Sequence, residues 1–379
     1  MLKLITVVGT RPEIIRLSCV IPLLDKYTQH ILVHTGQNYD YELNEIFFQD
    51  LELRKPDYYL NANTSSLGQM LGETLIKIEE VLDKEKPDAM LILGDTNASI
   101  AAIIAKRRHI PIYHMEAGNR SFDENVPEET NRRMIDHIAD FNLVYTENSR
   151  RHLLSEGLHH RRIYLTGSPM FEVLQHYLPK IKQSNILETL KLEPQKYFLI
   201  SVHREENVDY LENLIKISII LNTLAEQYHY PVIVSTHPRT RKRLENLDSF
   251  KFNSLIQFLK PFSFTDYNFL QMNSACVISD SGTISEESAI LKFPAITIRN
   301  SMERPEAIDA GTIILSGFEP EIVLDSVNVA IEEDANYTKI CPEYKIENCS
   351  MRVLKLILST SKLNKIWNNL YSNEYYNYL

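Results

Sequence analysis

The sequence predicts an α/β protein made of two doubly wound, Rossmann-like domains that face a shared cleft. Three observations predict it. Short apolar runs alternate with helix-length segments from end to end, the pattern of parallel sheets covered by helices. The alternation pauses near Gly167-Ser168-Pro169-Met170 and resumes after a polar, Leu/Glu/Lys-rich stretch that ends about Gln195. The 379 residues suit two or three domains at roughly 100–200 residues each.

In the first half, strands are expected near 3–8, 30–35, 89–93, 110–115, 141–145 and 162–166, with helices between them. Leu17, Val20, Ile21 and Leu24 have the spacing of one helical face. Pro12 suits a first helical turn, where its missing N–H would have had no partner. The second series has strands near 197–202, 231–235, 255–259, 276–279, 294–298 and 312–315, and a helix over 319–332. The first domain is therefore placed at 1–170 and the second at 171–349, with a last helix over 350–371 crossing back onto the first.

A net charge of -10 without a compensating basic run argues against broad nucleic-acid binding. Cys19, Cys276, Cys341 and Cys349 show neither a CxxC pair nor zinc-type spacing and read as reduced thiols. The chain opens on a strand pattern, Lys3-Leu4-Ile5-Thr6-Val7-Val8, and no apolar run approaches the ~20 residues that cross a bilayer. A cytoplasmic protein without membrane insertion is expected.

Chemistry concentrates where strands end. Asp95 follows the apolar run Met90-Leu91-Ile92-Leu93, Glu116 follows Ile112-Tyr113-His114-Met115, and Glu128 follows Pro127 at a helix start. Open α/β sheets bind ligands beyond the carboxyl ends of their strands, so the three carboxylates are expected in one pocket. Crowded carboxylates repel, and one or more is expected to hold a proton for acid/base work. Arg132, one turn after Glu128, is placed to pair with it or to hold substrate. Capping by Asp95 and a first-turn dipole role for Glu128 are the structural alternatives.

Gly9-Thr10-Arg11-Pro12-Glu13 reads either as an ordinary strand-to-helix turn or as a diphosphate site of backbone N–H groups and the Arg11 guanidinium. Asp280-Ser281-Gly282-Thr283 reads as a second phosphate turn, with Glu287 placed for ribose hydroxyls and Ser281 as a helix N-cap. His203 ends the strand Tyr197–Val202 and suits proton transfer or a leaving phosphate. His237-Pro238-Arg239 and Arg304-Pro305-Glu306 are further turn candidates, and Tyr39 and Tyr41 fit a sugar pocket or a dimer face. The chain has neither GxGxxG nor GxxxxGK[ST], so no dinucleotide cofactor of the usual kind is expected.

Taken in order, Gly9–Glu13, Gly94-Asp95-Thr96, His114–Gly118, Pro127–Arg132, Asp280-Ser281-Gly282 and Glu303–Glu306 resemble the non-hydrolysing UDP-N-acetylglucosamine 2-epimerase family. The doubled α/β pattern fits the glycosyltransferase-B-like architecture. Within the family, His34–Tyr41, Met115–Arg120 and Ser201–Asn207 look closest to the branch that makes UDP-N-acetyl-L-fucosamine for capsule and O-antigen polysaccharides. The chain carries Gln37-Asn38 where the N-acetylglucosamine enzymes usually have Gln-His, and Asn119 where they have a bulky apolar residue.

The resemblance implies catalytic roles for Asp95, Glu116, Glu128 and His203. It implies substrate or nucleotide contacts at Arg11, Ser281, Gly282, Glu287 and Arg304. It implies a UDP-sugar substrate, a homodimer, no cofactor and no metal. The implied reaction inverts C2 of UDP-2-acetamido-2,6-dideoxy-L-talose by loss and re-addition of UDP through a 2-acetamido-glycal. The alternatives are interconversion of UDP-N-acetylglucosamine and UDP-N-acetylmannosamine, a glycosyltransferase, or a non-catalytic nucleotide-sugar sensor.

Overall fold

The structure is a computed structural model that describes residues 1–36, 47–202, 204, 207, 210–236, 243, 250–302, 304–333 and 340–368. They form two compact units. Unit 1 runs Met1–Val173 and resumes at Ile346; unit 2 is Leu174–Lys345. His203, Gln37, Asn38, Tyr39, Tyr41, Glu303 and the run His237-Pro238-Arg239 lie outside the described residues.

Unit 1 contains β1 (Lys3–Val8), α1 (Arg11–Leu17), α2 (Val20–Tyr27), β2 (Gln29–His34), β3 (Tyr58–Tyr59), α3 (Leu67–Glu85), β4 (Ala89–Leu93) and α4 (Ala101–Arg107). It continues with β5 (Ile112–Ala117), α5 (Glu128–Ile138), β6 (Phe141–Val144), α6 (Glu147–Ser155) and β7 (Ile163–Leu165). Helix α7 (Met170–Ile181) leads out of it. The strands form one parallel sheet in the order β3-β2-β1-β4-β5-β6-β7. Every residue of β4 is buried, as expected when helices cover both faces. Ile5, Val7, Met90, Ile92 and Ile112 pack on one face against Ile78, Ala101, Ala105 and Ile135 from the helices.

Unit 2 holds α8 (Ile186–Leu190), β8 (Phe198–Ser201), α9 (Leu211–Tyr228), β9 (Val232–Ser235), β10 (Ile256–Leu259), α10 (Phe264–Asn273) and β11 (Cys276–Ser279). It ends with α11 (Ile284–Leu291), β12 (Ala295–Thr297), α12 (Glu306–Asp309), β13 (Ile314–Leu315) and α13 (Pro320–Glu332). Its parallel sheet has the order β10-β9-β8-β11-β12-β13. Phe198, Ile200 and Ile278 face one apolar layer, and Leu199, Val277 and Ile233 the other. The final helix, α14 (Cys349–Trp367), belongs to unit 1. There Thr360 Oγ1 meets Tyr113 Oη at 2.7 Å, and Trp367 lies against Phe141.

Strand bounds shift by a residue or two in several places, and two differences have an identifiable local cause. The two-residue edge strand β3 was not anticipated; Tyr58-Tyr59 is too short to show a period. Strand β5 begins at Ile112, two residues later than expected, because Pro111 has no N–H to give a ladder. It runs on to Ala117, so Glu116 sits inside the strand and not in the loop after it. The register shifts between Met115 and Ala117, and Glu116 takes φ +67 at that bulge.

In both sheets the chain order reverses at the centre, between β1 and β4 in unit 1 and between β8 and β11 in unit 2. At such a reversal the connecting helices leave to opposite faces and open a crevice at the strand carboxyl ends. The turns after β1 and β4 carry Arg11 and Asp95, and the turns after β8 and β11 carry Arg204 and Ser281.

Candidate active site

In unit 1 the acidic residues stand against arginines. Asp95 Oδ2 accepts from Arg132 Nε at 2.7 Å, and Asn131 Nδ2 donates to the Asp95 carbonyl at 2.9 Å. Glu116 Oε2 is ion-paired with Arg16 Nη1, and both side chains are nearly buried. A Cβ placed on Gly94 would lie 3.9 Å from Glu116 Oε2, so Glu116 stands directly over the turn that carries Asp95. A cation thus stands against each of these two carboxylates. A non-glycine residue at positive φ costs about 1–3 kcal/mol, and Glu116 bears that strain while aimed at the site.

Helix α5 supplies the third acid. Glu128, Arg132 and Asp136 recur every four residues and share one stripe of the helix. Glu128 is its first residue, so a turn of α5 separates it from the guanidinium that holds Asp95. Arg132 also donates from Nη1 to Glu129 Oε2 at 3.0 Å. Burial pushes the Glu129 carboxyl up, but the Ser121 N–H and Arg132 outweigh it and hold the group below its usual range.

In the turn after β1, Gly9 N and Thr10 N donate to Glu13 Oε2 at 2.7 and 2.6 Å. Thr10 Oγ1 also donates to Oε2, and Thr96 Oγ1 donates to Oε1 at 2.8 Å. The N–H groups of Gly9 and Thr10 thus serve Glu13, and Arg11, stacked 5.4 Å from the centre of the Phe47 ring, is the cation offered by this turn. Glu13 ties the turns after β1 and β4 together. Burial pushes its carboxyl up to about 7, partly offset by the four donors. Thr96, not Asp95, caps the short 3-10 turn Asn97–Ile100, through Ala98 N.

In unit 2, Ser281 is not the N-cap of α11. Thr283 holds that position, and Ser281 Oγ instead accepts from Thr283 N at 3.3 Å. Gly282 faces Arg204, whose Nη2 would lie 3.5 Å from a Cβ there. The fully buried Asp280 fastens the turn after β8 to the turn after β11, accepting from Arg204 N at 2.9 Å and Asn207 Nδ2 at 2.8 Å. Arg304 is buried and pairs with Glu286 at 2.7 Å, with a longer 3.4 Å donation to the Gly282 carbonyl. It braces the turn from behind. Glu287 Oε2 accepts from Gln271 Nε2 at 2.8 Å, which orients the carboxylate proposed for ribose.

The family model of UDP-N-acetylglucosamine 2-epimerases matches residues 24–358. The chain belongs to the UDP-N-acetylglucosamine 2-epimerase family. As a 2-epimerase it is an isomerase that acts on a UDP-sugar. It is 37% identical over 344 residues to the UDP-N-acetylglucosamine 2-epimerase of Methanococcus maripaludis, covering 89% of this chain and 94% of that one. A solved structure of UDP-N-acetylglucosamine 2-epimerase from Rickettsia bellii is 50% identical with TM-score 0.90, covering 96% of this chain and 98% of its own. The Methanocaldococcus jannaschii enzyme, solved with UDP-N-acetylglucosamine and UDP, is 35% identical with TM-score 0.88, covering 94% and 99%. A glycosyltransferase from Rickettsia africae shares the fold at 14% identity and TM-score 0.54, which places the 2-epimerase among glycosyltransferase-B-like architectures.

Several residues that brace the strand-end turns within each unit were not singled out from the sequence: Glu13, Arg16, Glu129 and Asp136 in unit 1, and Arg204, Asp280 and Glu286 in unit 2. Two had a local signal. Thr10-Arg11-Pro12-Glu13 has the Thr-x-x-Glu spacing of a capping box, and Asp136 continues the four-residue stripe of Glu128 and Arg132. Among the described residues no group of three or more His, Cys, Asp or Glu side chains is arranged to hold a metal ion, and no helix is long and apolar enough to cross a membrane.

Proposed function

We propose that this 2-epimerase interconverts UDP-N-acetylglucosamine and UDP-N-acetylmannosamine. The observation that carries the reading is the pairing of Asp95 with Arg132 and of Glu116 with Arg16 at the carboxyl ends of β4 and β5. It stands in a chain whose relatives bear that enzyme's name. This favours the plain N-acetylglucosamine substrate over the fucosamine-series sugar that the local motifs suggested.

The C2 hydrogen of the sugar is a poor acid, because no carbonyl adjoins it. Its removal is therefore coupled to departure of the leaving group. A carboxylate takes the C2 proton, the C–H electron pair forms the C1=C2 double bond, and the C1–O bond breaks with its pair leaving on UDP. Return of UDP to C1, with a proton delivered to the opposite face of C2, completes the inversion. On this reading Asp95 and Glu128 are the proton carriers and Glu116 orients or shares a proton. Arg11 is assigned to the substrate, Ser281 and Gly282 serve the diphosphate with Arg304 bracing their turn, and Glu287 serves the ribose. Arg132 orients Asp95 through its Nε donation. His203 is assigned to the leaving phosphate.

Turnover in heavy water tests the route: product and recovered substrate should both carry deuterium at C2, and protium retained there refutes it. Side-by-side assays decide the sugar. UDP-N-acetylglucosamine should turn over, and exclusive turnover of UDP-2-acetamido-2,6-dideoxy-L-talose would restore the second reading. Asn119, one of the residues that suggested it, is buried, with its amide 3.4 Å from Glu116 Oε1 and accepting from Ser149 Oγ at 3.1 Å. That internal role accounts for the polar residue without a special sugar. A Pseudomonas aeruginosa relative, 32% identical, is named UDP-2,3-diacetamido-2,3-dideoxy-D-glucuronate 2-epimerase, so relatives differ at the other sugar carbons. The reading includes a cytoplasmic homodimer that supplies a surface polysaccharide.

A further inference from the structure

Once the carboxylates are assigned, a buried polar assembly in unit 1 remains. Asp136 is completely buried, and His114 and Arg120 are each 1% exposed. His114 Nε2 meets the carbonyl of Gly94, the residue before Asp95, at 2.9 Å. Its Nδ1 lies 2.9 Å from Asp136 Oδ1, an ion-pair contact off the hydrogen-bond axis. Asp136 Oδ2 accepts from Gly118 N at 3.1 Å and from Arg120 Nη1 at 2.7 Å. Arg120 forks onto Glu156 at 2.8 and 2.7 Å, and its Nη1 also reaches the Asn119 carbonyl. Asn119 in turn reaches Glu116.

Burying so many polar groups is a costly way to hold a helix, since apolar packing does it more cheaply. The arrangement does something packing cannot: one carboxylate on α5 is joined to the turn of Asp95, through His114, and to the turn of Glu116, through Gly118. The same α5 stripe carries Glu128 and Arg132. We infer that Asp136 and His114 are positioning residues that set the Asp95 and Glu116 turns in register with Glu128. Gly94 O can only accept, so the ring nitrogen that meets it donates, and this fixes how the imidazole is turned. Arg120 lies between the Asp136 and Glu156 carboxylates. Among the described residues His137, half-exposed, also lies 3.1 Å from Glu156.

The kinetic consequence rests on the epimerase reading; the contact of His114 Nε2 with Gly94 does not. Nitrogen-15 spectra of the intact enzyme should show a histidine ring whose Nε2 carries a hydrogen-bonded proton, assigned to His114 by its loss in His114→Gln. In Asp136→Asn that signal should shift. Turnover of UDP-N-acetylglucosamine by Asp136→Asn should fall by about tenfold to a hundredfold, with KM within twofold, because small misplacements of reacting groups act on the chemical step. A His114 ring with no proton on Nε2 in the unmodified enzyme overturns the inference. So does a folded Asp136→Asn enzyme with unchanged kcat, or one whose loss lies wholly in KM. If Asp136→Asn does not fold, His114→Gln carries the kinetic test, and the spectrum of the unmodified enzyme requires no variant. Absence of turnover by the unmodified enzyme refutes the epimerase reading alone, because the ring signal still reports the geometry.

Discussion

Glu13 gives the chain a buried acid whose charge state is set by two opposed forces. Burial disfavours the carboxylate, while Gly9 N, Thr10 N, Thr10 Oγ1 and Thr96 Oγ1 all donate to it. Burial wins, and the group is raised from 4.5 to about 7. The sign follows from proton counting. Between pH 4.5 and 7 the folded chain keeps a proton that the unfolded chain has lost, so stability from this group declines as pH rises and levels off above pH 7. At about 1.4 kcal/mol per pKa unit, the decline is about 3 kcal/mol. Glu13→Gln removes the titration and keeps the geometry: its amide oxygen accepts from Gly9 and Thr10, and its NH2 donates to Thr96. Urea unfolding of both proteins at pH 4.5 and pH 8 isolates the group, since every other titration cancels in the difference. Glu13→Gln should gain about 3 kcal/mol relative to the parent between the two pH values. A gain below about 0.5 kcal/mol, or a relative loss at pH 8, would show that the four donors outweigh burial and would refute the reasoning.

Two further substitutions probe the frame of the site. Gly118 holds φ +80, and a Cβ there would collide with the Ser149 carbonyl, so Gly118→Ala should cost about 2 kcal/mol or more in urea unfolding, whereas a neutral result would mean that α6 moves aside freely. Arg304→Met removes the cation from the fully buried Glu286 and should destabilise by about 3–5 kcal/mol, with Arg304→Met/Glu286→Leu recovering most of the loss; a single variant costing under about 1 kcal/mol would refute the pairing as a stabilising contact.

The fold class was readable because strand and helix periods are local. Ala89–Leu93 and Cys276–Ser279 are continuous apolar runs between turn residues, and the structure has strands there. The strand ends that carry Arg11, Asp95 and Ser281 were legible for the same reason. That Arg11 and Asp95 follow neighbouring strands of one sheet was not local, and rested on the rule for parallel sheets. What escaped was partner choice. Arg16 and Glu116 are a hundred residues apart in the chain, and Arg132 and Asp95 thirty-seven, so no spacing announces either pair. Glu116 was read as a loop residue because a bulge leaves no mark on an apolar alternation.

Residue order alone therefore established the doubled α/β pattern, the family and the acids that end the strands, since each is written in short-range periodicity or in a contiguous motif. Tertiary structure decided which charges neutralise which. It gave the Gly9 and Thr10 N–H groups to Glu13 rather than to an anion, put Arg304 behind its turn, and joined Asp136 to two separate loops through His114. The physical reason is that charge compensation in a buried site depends on distance through space and on exclusion of water, and neither quantity is encoded by separation along the chain.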